Sequence, residues 1–346
     1  MMIYVVLIFL WTSILIYLLM GGADYGAGIL ELFSSKRDKP LIRKRSYQVM
    51  GPVWEANHMW LIIAVVILFV GFPGIYAALG VWLHIPLLLL LMGIVARGTS
   101  FTFRNYDAVQ DGWQRVYSKV YVYSSFMVPF FLGNIAGAAV SGRINPLASS
   151  FLEKYIFSWL NWFCFFTGCF TVFLCGFIAA VFLTGETETD ERAVKQRYRY
   201  GAALMNSGMV VCFFLICFIA SKGNIPLSAQ GSSHYPGIVM IVCAAAACCA
   251  LWYAMIKDEV MMSRVFAGLL VITLMLTVTL SYYPFFVVFK DGTGLSVWDM
   301  AAPAKTMSVL GSALLIGSAF IIPSLCFLVY SFDKKSTAFY AEDKHE

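Results

Sequence analysis

The sequence predicts an all-α integral membrane protein, with about nine transmembrane helices in two helical bundles plus one extra helix. Three observations carry that expectation. Hydrophobic residues make up 60% of the 346 and charged residues only 12%, so a soluble fold has almost no polar surface to present. The apolar residues come in unbroken runs longer than about 18, enough for a helix to cross the hydrocarbon core, whereas the strands of a membrane barrel alternate in polarity. No segment between the runs is long enough for an extramembrane domain, so the chemistry is expected in or at the membrane.

A window of about 19 residues places spans at 3–33, 50–73, 79–103, 119–141, 155–183, 201–221, 237–256, 265–289 and 308–331. The first is retained as a helix and not cleaved as a signal, because no basic region precedes Ile3 and no small-residue cleavage site follows the apolar core. The second opens at Gly51 and Pro52, and proline suits a first helical turn. The most polar stretch, 185–200 (GETETDERAVKQRYRY), separates five spans from four. One transmembrane domain, 1–346, therefore divides into a first five helices (1–184), a polar cytoplasmic link (185–200), and a last four helices with a cytoplasmic tail (201–346). No strong internal repeat is visible.

The net charge of +5 is modest, and its distribution is the informative part. With the N-terminus outside, 19 of the 24 Lys and Arg residues fall on inside segments; Arg143, Lys154, Lys222, Lys290 and Lys305 do not. Positive charge accumulates on the cytoplasmic side of membrane proteins, so the expected orientation is N-terminus outside, C-terminus cytoplasmic. The nine cysteines lie inside apolar runs without a CxxC pair, which points to packing residues and not to a disulfide framework or zinc site.

Charges inside spans cost at least about 2.5–3.5 kcal/mol near the bilayer centre, so each is a candidate functional residue. Asp24 stands in GGADYGAGIL, roughly 15 Å from the cytoplasmic end of the first span. Gly21 and Gly28 lie on its face, and small residues there admit a neighbouring helix, so Asp24 is expected to face protein. Glu31 follows two turns later, about 10 Å nearer the cytoplasm. Glu55, in GPVWEANHMW, enters the antiparallel second span at comparable depth. Asp24, Glu31 and Glu55 are the candidate proton path; the alternatives are pairing with a partner-subunit cation or a local structural role.

The supporting polar or interface residues are Trp54, Asn57, His58, Arg97 and Arg104. His58, one turn after Glu55, is placed to pair with it in preference to binding a metal or haem. Trp54 reads as an interfacial anchor. Arg97 and Arg104 frame RGTSFTFR and either snorkel to lipid phosphates or dock an acidic partner or cofactor carboxylate. Asp24, Glu55 and Arg97 have few evident partners in the sequence, so the chain is expected to be stable only with a partner. The remaining histidines, His84, His234 and His345, form no ligand pair. The chain carries no Walker A element, glycine-rich nucleotide fingerprint or HExxH motif. No complete active site, bound metal or nucleic-acid partner is expected.

Three runs, GGADYGAGIL, GPVWEANHMWLI and RGTSFTFR, resemble subunit II of the cytochrome bd quinol oxidases. The combination of G-x-D-x-G-x-G (Gly22 to Gly28) with W-[DE]-x-N (Trp54 to Asn57) makes the resemblance specific, and it extends more loosely through all nine spans. The sequence departs from the pattern at Glu55, where many relatives carry Asp, and at His58, where they carry Gln. The resemblance implies a haem-free subunit of a bacterial inner-membrane enzyme that oxidises quinol at the outer face and reduces dioxygen to water. It implies haems b and d in a similarly folded, pseudo-symmetric subunit I, which this chain scaffolds and helps supply with cytoplasmic protons. A small single-helix subunit is a further expected partner in some assemblies, and some relatives hold a structural quinone in subunit II. The competing reading is a proton-coupled secondary transporter with Asp24 as coupling carboxylate.

Overall fold

The structure, a computed structural model, describes residues 2–34, 39, 42–43, 54–106, 113–185, 192–223, 225 and 235–342, with only the backbone at 55, 105–106, 192–193, 235–236, 325–326 and 328–342. Among the described residues, eight helices are long and apolar enough to cross a membrane, or nine if the bent pair at 56–71 and 73–82 counts as one span. The first span, Met2–Phe33, comprises α1 (Met2–Ile16), a π-helical turn (Tyr17–Gly21) and α2 (Gly22–Phe33). Then follow α3 (Trp54–Gly71), α4 (Pro73–Trp82), α5 (His84–Tyr106), α6 (Trp113–Val140), the short α7 (Phe151–Tyr155) and α8 (Trp162–Gly185). The chain continues through α9 (Arg192–Lys222), α10 (Tyr235–Ile256) and α11 (Val260–Tyr282), and ends in α12 (Ala304–Glu342).

Helix α8 is the hub, packing on α2, α6, α9 and α11. On one side stand α1 to α6; on the other α9 leans on α8 while α10 and α11 pair with each other. The last helix, α12, returns to α1 and α3, so it joins the first group despite coming last in sequence.

Several boundaries differ from the sequence expectation; the span expected from 155 begins at Trp162 after the separate α7, and that expected to end at 331 runs to Glu342. The span expected at 50–73 bends by 112° after Gly71, where Phe72 leaves helical geometry and Pro73 starts α4; proline removes a backbone donor and disfavours helical geometry in the residue before it. Consequently 79–82 belong to α4 and the third span begins at His84. The polar stretch 185–200 is helical from Arg192, its charges riding the first turns of α9. The span expected at 265–289 stops at Tyr282, and the chain forms an antiparallel hairpin, β1 (Phe285–Val288) with β2 (Gly294–Ser296), an element an all-α expectation lacks. The β-branched pair Val287 and Val288 packs inward there. Lys290 at the tip pairs with Glu153 at 2.9 Å.

Candidate functional site

Every residue of α2 from Gly22 to Glu31 is buried. Glycines permit this, though not both of those expected. A Cβ at Gly26 would strike the Cys175 carbonyl of α8, and one at Gly28 would strike Ser125 of α6. Gly21, by contrast, faces the ring of Tyr17 in its own span. The backbone of α8 and the Ser125 side chain of α6 thus close on α2 beside Asp24, which has no exposed surface. The π turn adjusts the register just before it. Eight α-helical residues overshoot whole turns by about 80°, and the wider π turn takes up the difference, so the hydroxyls of Tyr17 and Tyr25 meet at 3.1 Å.

Arg97 of α5 is as deeply buried as Asp24, and its Nη2 donates to Asp24 Oδ1 at 2.6 Å. The guanidinium has other contacts as well: Nη2 lies 3.1 Å from the main-chain oxygen of Asp24, and Nε donates to Ser125 Oγ at 3.2 Å. The rings of Tyr25 and Tyr121 flank its Cζ at 4.6 and 5.0 Å. Cation–π attraction strengthens when both groups are desolvated, so Arg97 sits in a cage that holds its charge partly without the carboxylate.

Two turns along both helices, Arg104 Nη1 donates to Glu31 Oε2 at 3.0 Å. The other oxygen of Glu31 accepts from half-exposed Arg43 at 2.9 Å. Because the first and third spans run parallel, the seven-residue steps from Asp24 to Glu31 and from Arg97 to Arg104 match rung for rung. Tyr121 of α6 lies between the rungs: its hydroxyl accepts from Arg97 Nη2 at 3.4 Å, and its ring underlies Arg104 at 4.3 Å.

Helix α3 contributes the third wall. Asn57 is buried and its Nδ2 donates to the Met20 carbonyl, in the π turn, at 3.5 Å. His58 lies between the rings of Trp54 and Tyr25 at 6.1 and 6.2 Å, and Trp54 also packs on Phe101 of α5. The side chain of Glu55 lies outside the described residues, as do His234 and His345. Several buried polar atoms here have no hydrogen-bond partner among the described residues: Asp24 Oδ2, Arg97 Nη1, Asn57 Oδ1, both ring nitrogens of His58, and Trp60 Nε1. Such atoms are unusual in a folded interior and mark places where water is bound or a polar group moves.

The arrangement corrects two expectations. Arg97 and Arg104 neither snorkel nor wait for an acid from elsewhere, since the acids of α2 take them up and withdraw them from lipid. Asp24 and Arg97 are therefore partnered within this chain and need no other subunit for charge pairing. Tyr25, Tyr121 and Ser125 were not anticipated, because single tyrosines and serines in apolar runs carry no periodic signal; the equal seven-residue spacings were the available clue.

Of the two histidines whose side chains are described, His84 is exposed and bonded through Nδ1 to the Val81 carbonyl at 2.9 Å. His58, by contrast, lies between the aromatic rings of Trp54 and Tyr25. Among the described residues, no group of three or more His, Cys, Asp or Glu side chains gathers into a metal-holding set.

Comparison with known proteins agrees with the family resemblance. The family described as cytochrome bd terminal oxidase subunit II matches residues 2–332. The chain is 23% identical over 334 residues to the cytochrome bd ubiquinol oxidase subunit 2 of Bacillus subtilis (strain 168), covering 94% of this chain and 96% of that one. It is 27% identical over 224 residues to the cytochrome bd-I ubiquinol oxidase subunit 2 of Escherichia coli (strain K12), covering 61% of this chain and 56% of the relative. In fold it is similar to a chain of the bd oxidase from Geobacillus thermodenitrificans, with a TM-score of 0.74, 20% identity, and 96% and 98% of the two chains covered.

Proposed function

Since the chain belongs to the cytochrome bd terminal oxidase subunit II family, we propose that it is the haem-free subunit of a bacterial quinol:dioxygen oxidoreductase that delivers cytoplasmic protons to a haem-bearing partner. The partner supplies haems b and d and the quinol site; this chain braces it in the cytoplasmic membrane. Quinol oxidation releases protons outside and oxygen reduction consumes protons from inside, so charge separation follows without a pump.

The observation that supports delivery, over bracing alone, is the cage around Arg97. A carboxylate locked to a buried guanidinium is a poor proton carrier, because neutralising it strands the cation. Here Ser125, the Asp24 carbonyl, the Tyr121 hydroxyl and two rings continue to hold Arg97 when Asp24 takes a proton, and Asp24 Oδ2, which has no partner among the described residues, is the atom to receive it. The entrance is the Glu31 rung, at the end of the bundle rich in Lys and Arg, which the charge distribution assigns to the cytoplasm. Beyond Asp24, the atoms of Asn57, His58 and Trp60 that lack a partner among the described residues continue the polar lining, and Glu55 is the next candidate carrier. The test uses Asp24→Asn and Glu55→Gln in the whole complex. Each is expected to assemble with its haems, keep its quinol affinity, and lose turnover together with charge movement after oxygen binding. Full turnover in the double variant would leave the subunit a scaffold.

A further inference from the structure

Within this reading, the Tyr121 side chain touches both arginines of the ladder. Its ring faces Arg104 on one rung and Arg97 on the other, and it is buried between the levels of Glu31 and Asp24. Asp24 Oδ1 and the Tyr121 hydroxyl accept from the same nitrogen, Arg97 Nη2, so the phenol and the buried carboxylate stand beside one donor. A hydroxyl has one proton to give and two lone pairs to receive. Arg97 uses one lone pair, which leaves the second lone pair and the proton for transfer. The two carboxylates, two turns apart at about 10 Å, are too distant to exchange a proton directly.

We propose that Tyr121 is the proton-carrying link between the Glu31 rung and the Asp24 rung, resting on the proton-delivery reading above. A water molecule on the Glu31 side, reprotonated in turn from Glu31, donates a proton to the free lone pair of the Tyr121 oxygen as the hydroxyl releases its own proton, through a second water, to Asp24 Oδ2. One O–H bond forms as one breaks, the phenol ends with the proton count it began with, and no electron moves. The ring has a second role, because contact with both guanidiniums fixes the arginines in register and each acid keeps its own partner.

Tyr121→Phe separates the two roles, since it keeps the ring and removes the hydroxyl. In the intact complex it is expected to retain haem content, melting temperature and KM for quinol, while kcat and the rate of charge movement after oxygen binding fall about tenfold or more, within the range that positioned proton-transfer groups supply. Tyr121→Leu, which loses the ring as well, is expected to lower haem content and melting temperature too. Difluorotyrosine at 121 keeps ring and hydroxyl and alters only the acidity of the phenol. It is expected to change the rate of charge movement with assembly intact, and a wild-type rate would overturn the proposal even if the phenylalanine variant fails to assemble. Loss of turnover in Asp24→Asn beside wild-type turnover in Tyr121→Phe overturns the assignment of Tyr121 alone. Wild-type turnover in both overturns the delivery reading beneath it.

Discussion

Around α2, ten consecutive residues are buried, and two of them are carboxylates held by arginines, whereas the buried positions that join α10 to α11 include Ala244, Ala247, Leu251, Ala267 and Leu270. Hydroxyls in the second region are satisfied within their own helix, as with Thr273 on Leu269, Thr277 on Thr273 and Thr279 on Met275. Charges there stay at the helix ends, where Asp258 meets Lys195 at 2.7 Å and also pairs with Arg199. Small-residue packing therefore suffices to pair helices in this membrane chain. A buried ion pair loses hydration that its Coulomb attraction barely returns, so the ladder around α2 calls for a reason other than stability.

The largest expected contrast is between two glycines. Gly26→Ala drives a Cβ into the Cys175 carbonyl and should separate α2 from α8, costing at least about 3 kcal/mol and the yield of assembled complex. Gly268 in α11 has open space where a Cβ would go, so Gly268→Ala should be neutral or stabilise by up to about 1 kcal/mol. Equal effects on thermal stability would erase the distinction between the regions.

Next in size is removal of one partner from each rung. Arg97→Gln leaves Asp24 buried and unpaired, a loss on the order of 3–5 kcal/mol. Arg104→Gln should cost clearly less, because Arg43 remains on Glu31. In the second region a polar contact in the middle of α9 and α10 is Cys248 Sγ to Asn206 Oδ1 at 3.5 Å. Cys248→Ala should shift stability by only about 0.6 kcal/mol, the usual size of an interhelical hydrogen bond in a membrane. A larger loss there than at Arg97 would reverse the comparison.

The smallest effect belongs to the hairpin. Lys290 and Asn145 bond to exposed Glu153 and hold its carboxyl below the ordinary glutamate range. A group lowered in the folded state contributes above its unfolded pKa and loses that contribution as pH falls through the folded value. The contact is solvent-screened, so Glu153→Gln and wild type should melt alike at pH 7, and any residual difference should shrink as pH falls below the ordinary glutamate range and through the lower folded value.

Span number, the polar motifs and the burial of Asp24 were legible because hydropathy and glycine placement are written in single residues and their local spacing. The partners were not, because Arg97 lies 73 residues from Asp24 and an arginine near a helix end looks the same in sequence whether it reaches for lipid or for a neighbouring helix. The matching seven-residue steps became decisive only once the two spans were known to be parallel neighbours. The bend after Gly71 was signalled by Pro73, but continuous hydropathy masked it. The hairpin was hidden because Phe285 to Val288 continue the apolar character of α11.

The measurement that bears most directly on the role of the ladder is turnover and charge movement after oxygen binding in the Asp24→Asn/Arg97→Gln complex. Removing both charges together avoids stranding either one, so this variant should assemble with full haem content and an unchanged KM for quinol. If the buried pair carries protons, kcat and the charge-movement rate should still fall by about tenfold or more. Wild-type turnover with wild-type charge movement would contradict that account and make the pair a structural feature of the subunit.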